Sequence, residues 1–353
     1  MSRTAFILGN FRLEWSAVII TMGLLCGLLL AVALYRGREK NSAAAWLCFC
    51  FSFVFGTFFS RTLHWYFNEA AYTSFGQALT DFSVGSFCLP GMILGLMLGA
   101  WLVKLTRLVR SKEVLLDCFA PGMVLSIAFI RLSALFNESC RSRITIENEA
   151  LQHLPFAIAS ADAAGNVSYR LATFFIAFLL LTLLSVIVLV MYLRSGRRSM
   201  KKPCREDGNV WRMTLLYWSA LEVILDSTRY DSPLMHFRLI SYLNQYSAFI
   251  SLAQIFGGFC AIAALVYYSR VSIKANGFKF YHPLCWAVFA LSFYMIGYLG
   301  EYKVQRESVY LRSYSFMAVG CVLMVLSVQL LYQSCVERSL GDGKKPNQEA
   351  GRS

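Results

Sequence analysis

Residues 171–193 read LATFFIAFLLLTLLSVIVLVMYL, without a charged side chain. At 1.5 Å per residue such a run crosses the roughly 30 Å of hydrocarbon in a bilayer as one helix. Comparable runs cover about Trp15 to Tyr35, Ala43 to Ser60, Phe87 to Val109, Val114 to Phe136 and Val210 to Ser227. Three more follow at about Leu243 to Tyr268, Pro283 to Leu299 and Tyr314 to Leu331. The chain of 353 residues is 57% hydrophobic and 15% charged, with a mean hydropathy of +0.54. A soluble domain of that size needs more polar surface than this composition supplies. The sequence therefore predicts an all-α polytopic membrane protein of about nine transmembrane helices.

The net charge of +13 is spread in short clusters between apolar runs, the pattern of cytoplasmic loops and not of a nucleic-acid surface. An amino terminus outside and a carboxyl terminus inside puts nine of the ten lysines on the cytoplasmic side, Lys303 being the exception. In the first span the charges Arg36, Arg38 and Lys40 follow the apolar run, so it reads as a retained span and not a cleaved signal. Most of the 11 cysteines sit inside apolar runs and without ligand spacing, which favours packing over a metal or disulfide role. No metal and no cofactor is expected. Gly91, Gly95 and Gly99 recur at four-residue spacing and predict a smooth face for close helix approach.

An ionisable group at membrane depth costs about 2.5–3.5 kcal/mol, so a retained one suggests function. Arg131 lies inside the outer end of its span, followed by Asn137 and Glu138. It either snorkels to the interface or holds a lipid phosphate, for which its planar fork is suited. Glu222, Asp226 and Arg229 are spaced four and three residues apart, which places them on one helix face. Asp226 and Arg229 have the spacing of a pair. Glu222 reads either as a general base or as a structural partner of Arg131. Arg61 and His64 at the end of the second span, with Arg238, Asn244 and Gln245 at the outer start of the seventh, complete an outward-facing polar pocket suited to an anionic headgroup.

These residues, taken in order, resemble the prolipoprotein diacylglyceryl transferase family over about Phe6 to Arg270. The opening Phe6 to Trp15 is similar to the family's start, and Arg61 falls on the arginine of its Gly-x-Arg-x-x-Tyr segment. Pro90 to Gly95 resembles its His-Gly-Gly-x-x-Gly, and Asp117, Ala120 and Pro121 its Asp-x-x-Ala-Pro. Arg131 and Asn137 match positions of its Gly-Arg-x-Gly-Asn-Phe-x-Asn signature. Asp226, Arg229 and Asp231 resemble its Glu-x-x-Arg-x-x-Asp, and Gln245 and Ser247 its Gly-Gln-x-x-Ser. Ser16, Pro90, Ala134 and Glu222 depart from it, replacing respectively a tyrosine, a histidine, an asparagine and a second arginine.

The resemblance implies transfer of a diacylglyceryl group from phosphatidylglycerol to the thiol of a lipobox cysteine in a prolipoprotein signal peptide, with glycerol phosphate released. On it, Arg131 binds phosphate, Arg61 or Arg229 assists, and Glu222 or Asp226 replaces the missing histidine as base. It implies a seven-helix unit over 1–270; the apolar runs add two further helices over 271–335, and polar composition predicts a disordered cytoplasmic tail over 336–353. The place implied is the bacterial cytoplasmic membrane. Two other readings are a pseudoenzyme that binds lipid or a partner, and a transporter of lipid or small solutes.

Overall fold

The computed structural model of the chain describes residues 4–8, 11–39, 42–69, 72–80, 88–136, 142–161, 167–199, 207–229, 236–239, 248–306 and 310–341. The chain opens with a hairpin, β1 (Thr4–Leu8) against β2 (Phe11–Glu14), which leads into α1 (Trp15–Arg38). There follow α2 (Ala43–Phe67), the short α3 (Phe75–Thr80), α4 (Leu89–Leu105) and α5 (Lys112–Ser133). Between α5 and α7 (Thr173–Ser199) lie a single turn, α6 (Glu149–Gln152), and the ribbon β3 (Ala157–Ala161) with β4 (Val167–Leu171). Next come α8 (Asn209–Ser227) and a third ribbon, β5 (His236–Leu239) with β6 (Ala248–Ser251). The last helices are α9 (Leu252–Asn276), α10 (Tyr281–Tyr294), its π-helical continuation Met295–Tyr302, and α11 (Tyr310–Gly341).

Seven helices among the described residues are long and apolar enough to cross a membrane: α1, α2, α5, α7, α9, α10 with its π-turn, and α11. The other two expected spans are α4, with 17 residues, and α8, with 19 residues that include Arg212, Glu222 and Asp226. The helical, multi-pass character of the chain follows, with three small antiparallel ribbons in the joining segments that apolar periodicity does not reveal. The second helix also runs further than its apolar stretch, to Phe67, and carries Arg61 and His64 within it instead of leaving them at a boundary.

Large apolar side chains face outward along the long helices, among them Leu29, Val54, Leu183, Phe259 and Leu330. An apolar belt of that kind suits lipid and not water. Polar groups are turned inward instead. α8 is wrapped by α5, α7, α9 and α11. Its residues Trp211, Leu215 and Trp218 join a core built with α1, α2, α4, α5 and α7. Met213, Leu216, Ala220 and Val223, from the other side of the same helix, join a second core with α9, α10 and α11. The helix that carries Glu222 and Asp226 is thus the wall shared by both cores, where lipid does not reach these two acids.

Close backbone contact holds the outer helices. A Cβ at Gly95 would overlap the backbone of Gly56, so α4 lies directly on α2, as the glycine spacing predicts. Gly27 and Gly122 make the same approach between α1 and α5. The start of α8 is fixed by Asp117 of α5, whose carboxylate accepts from Gly208 N at 2.7 Å and Trp211 N at 2.8 Å. These are helix-end donors with no partner inside the helix. Gly208 takes φ +90°, a left-handed conformation open to glycine, and so turns the chain into Asp117. Gly95→Val will separate α2 from α4 and lower the thermal unfolding temperature in detergent, at a cost of at least about 2 kcal/mol. Gly37→Ala, where an added Cβ meets nothing within 4 Å, will stay within about 0.5 kcal/mol of the parent.

Candidate functional site

Glu222 and Asp226 stand one turn apart near the end of α8, at 0% and 5% exposure. Arg131 reaches them from the last turn of α5, and its Nη2 donates to Glu222 Oε1. The side chains of this pair are 11% and 0% exposed, so the bond lies inside the bundle. Arg229, two residues past the helix, donates from Nη1 to Asp226 Oδ1 at 3.3 Å. Two ion pairs are therefore stacked along one edge of the bundle. Glu222 Oε2 and Asp226 Oδ2 are buried and accept no hydrogen bond from the described residues. Such half-used carboxylates are costly in a low-dielectric interior and keep capacity for a further donor.

The end of α8 is closed by the segment before β3. Ser142 forms a backbone bridge with Arg229, its Oγ donates to Thr228 O at 2.9 Å, and Arg143 N donates to the same oxygen at 3.0 Å. Arg143 Nε donates to Arg229 O at 3.0 Å, and Arg170 of β4 donates to Ser142 O at 3.3 Å. Unsatisfied carbonyls at a helix end attract cations, and here three arginines gather at one. From the other side Tyr314 of α11 donates its hydroxyl to Ser227 O at 3.2 Å. Arg143, Arg170 and Tyr314 were not among the residues expected from sequence. Nothing at membrane depth marks the two arginines, and Tyr314 reads as one of many interfacial aromatics.

Arg61 and His64 lie on α2, both buried. Arg61 Nε donates to Ala78 O at 2.8 Å, which ties α3 over the end of α2. His64 Nδ1 meets the Tyr72 hydroxyl at 3.0 Å. The preceding Ser60 donates to Cys88 O at 3.0 Å. Among the described residues no bond joins the end of α2 to Glu222 or Asp226. Arg238 lies in β5, its backbone paired with Phe249, and its side chain is outside the described residues. Asn137, Glu138, Asp231, Asn244 and Gln245 are also outside them.

A cavity of about 100 Å³ lies between α1, α2, α4 and α5. Its walls include Leu24, Phe49, Met92, Phe119, Met123 and Ile130, the last preceding Arg131 in sequence. Its lining is apolar, as hydrocarbon requires.

Comparison with known proteins gives the same direction. The family model described as prolipoprotein diacylglyceryl transferase matches residues 3–270. Two curated relatives, the phosphatidylglycerol–prolipoprotein diacylglyceryl transferases of two strains of Clostridium kluyveri, are each 27% identical over 141 residues. The match covers 39% of this chain and 53% of each relative, so the chain spans about half the length of the curated relatives it matches. Every residue of the two ion pairs falls inside the family range.

Removing one partner of a buried pair strands the other charge. Arg131→Met alone and Glu222→Leu alone will each destabilise the protein by about 3–5 kcal/mol. The double variant will recover most of that loss, as read by thermal unfolding in detergent through a double-mutant cycle. Additive losses would mean that the two side chains do not depend on one another.

Proposed function

The chain belongs to the prolipoprotein diacylglyceryl transferase family, and from that premise we propose that it transfers a diacylglyceryl group from phosphatidylglycerol to the lipobox thiol of a prolipoprotein. The observation that carries this reading is the Arg131–Glu222 pair itself, a guanidinium and a carboxylate paired inside the bundle within the family range. A phosphate suits the planar fork of the Arg131 guanidinium. A phosphate entering there competes with Glu222 for the guanidinium, so one exchange does two things. It neutralises the leaving group, whose charge grows as its carbon–oxygen bond breaks. It also frees a buried carboxylate to take the proton of the attacking thiol, as the thiolate is the nucleophile.

In this scheme Glu222 is the base and Arg131 the phosphate ligand. Asp226 and Arg229 form the second pair, with Asp226 as the alternative base. Arg61, His64, Asn137, Glu138, Arg238 and Gln245 belong to the surrounding substrate pocket, which the prolipoprotein signal peptide enters. The reading includes α4 and α8 as spans, which makes nine, with the amino terminus outside and the carboxyl terminus inside a bacterial cytoplasmic membrane. It also includes a transferase-like unit over 1–270, two added helices over 271–335 and a tail over 336–353.

One observation favours a second reading. Arg131 already has a carboxylate partner, at the position where the resemblance puts a second arginine. On that reading the scaffold holds a lipid or partner without turning it over.

The two readings separate in a strain depleted of its own diacylglyceryl transferase. The transferase reading expects this chain to restore prolipoprotein modification, seen as a gel shift. Arg131→Ala will abolish the shift, and Glu222→Gln will slow modification by roughly 10²–10⁴-fold, the usual worth of a general base. Absent modification despite confirmed membrane expression would overturn the transferase reading.

A further inference from the structure

A second cavity, of about 270 Å³, lies between α9, the π-turn and α11, with walls that include Ile255, Ile262, Phe293, Ile296 and Met324. Part of its wall comes from residues beyond the family match, and it shares no lining residue with the cavity between α1, α2, α4 and α5. Its polar end is made by Gln254 and Glu301. Glu301 is 5% exposed. Gln254 Nε2 donates to its Oε2 at 2.9 Å, and Gln305 Nε2 to its Oε1 at 2.6 Å. A carboxylate accepts about four hydrogen bonds, so two amide donors leave room for more. Among the described residues no lysine, arginine or histidine forms a salt bridge with it. A buried anion held only by neutral amides is complementary to a cation.

The surrounding backbone suits an occupant. Glu301 sits on a π-helical stretch, a form that is rare and common at functional sites. Gly297, on the same stretch, lines the chamber, and an added Cβ there meets nothing within 4 Å. The glycine leaves space that a side chain would fill without striking its neighbours. Gln254 is held in place by a reciprocal cap with Ser251 at the start of α9. It also donates to Val223 O of α8 at 3.4 Å. The chamber therefore backs onto the helix that carries Glu222.

We propose that this chamber binds a membrane amphiphile with a primary ammonium headgroup, its chain in the apolar cavity and its ammonium on Glu301. The ammonium brings three donors to a carboxylate with free acceptor sites. A headgroup with net negative charge is repelled by the same carboxylate, and an uncharged one leaves it without a counter-ion.

The test uses the full chain in phosphatidylglycerol nanodiscs doped with phosphatidylethanolamine that carries a photoactivatable acyl chain. Cross-linked peptides are then mapped by mass spectrometry. The N-acetylated form of the same lipid and photoactivatable phosphatidylglycerol serve as controls. The expected result is labelling of α9 and the π-turn by the free-amine lipid, roughly tenfold above either control. Gly297→Leu and Glu301→Gln will each reduce that labelling by about the same factor. Equal labelling by all three lipids overturns the proposal, as does free-amine labelling that survives either substitution. The comparison of lipids on the unaltered chain decides the matter even where a variant fails to fold.

Discussion

Arg131 and Glu222 meet inside the bundle because neither can face hydrocarbon alone. That requirement accounts for much of the architecture. A helix with Glu222 and Asp226 near one end must be enclosed on every side, and α8 is, by α5, α7, α9 and α11. Enclosure splits the apolar interior into two cores that meet on α8. It also explains why α11, which lies beyond the family match, packs against α8 and α9 of the matched range. Tyr217 of α8 donates to Gln329 of α11 at 2.8 Å, and Tyr314 holds the carbonyl of Ser227. Without α11 one flank of a charged helix would lie open to lipid.

The same pair sets the chemistry. A guanidinium matched by a carboxylate is tolerated at depth, and it stays exchangeable because a phosphate offers the same bidentate geometry with more charge. On the proposed function, an acidic residue at position 222 yields Arg131 to phosphate by exchange, where a second arginine would bind phosphate directly.

Much of this was legible in the sequence. Apolar runs located the helices, since membrane thickness imposes a length that composition alone reveals. Glu222, Asp226 and Arg131 stood out because charge is expensive there, and the four-residue spacing put both acids on one edge. Other features left no such trace. Arg143 and Arg170 lie in a polar stretch where arginine costs nothing, and only the fold carries them to the end of α8. Arg61 reads as an interfacial residue, yet α2 continues past it and α3 folds over it through Ala78. Glu301 lies just past the expected eighth span, Pro283 to Leu299, and its burial depends on Gln254, distant in sequence, and on a π-helical stretch with no signature of its own.

The central claim is that Arg131 is held by Glu222 until a lipid phosphate takes it. Solid-state NMR measures this directly, through dipolar coupling from the guanidinium nitrogens of Arg131 to lipid phosphorus and to the Glu222 carboxyl carbon. In zwitterionic bilayers the account predicts contact with the carboxyl carbon alone. Added phosphatidylglycerol will bring a phosphorus contact and weaken the contact with Glu222. An Arg131–Glu222 coupling unchanged by phosphatidylglycerol, with no phosphorus nearby, would contradict it and leave the pair as a structural clasp.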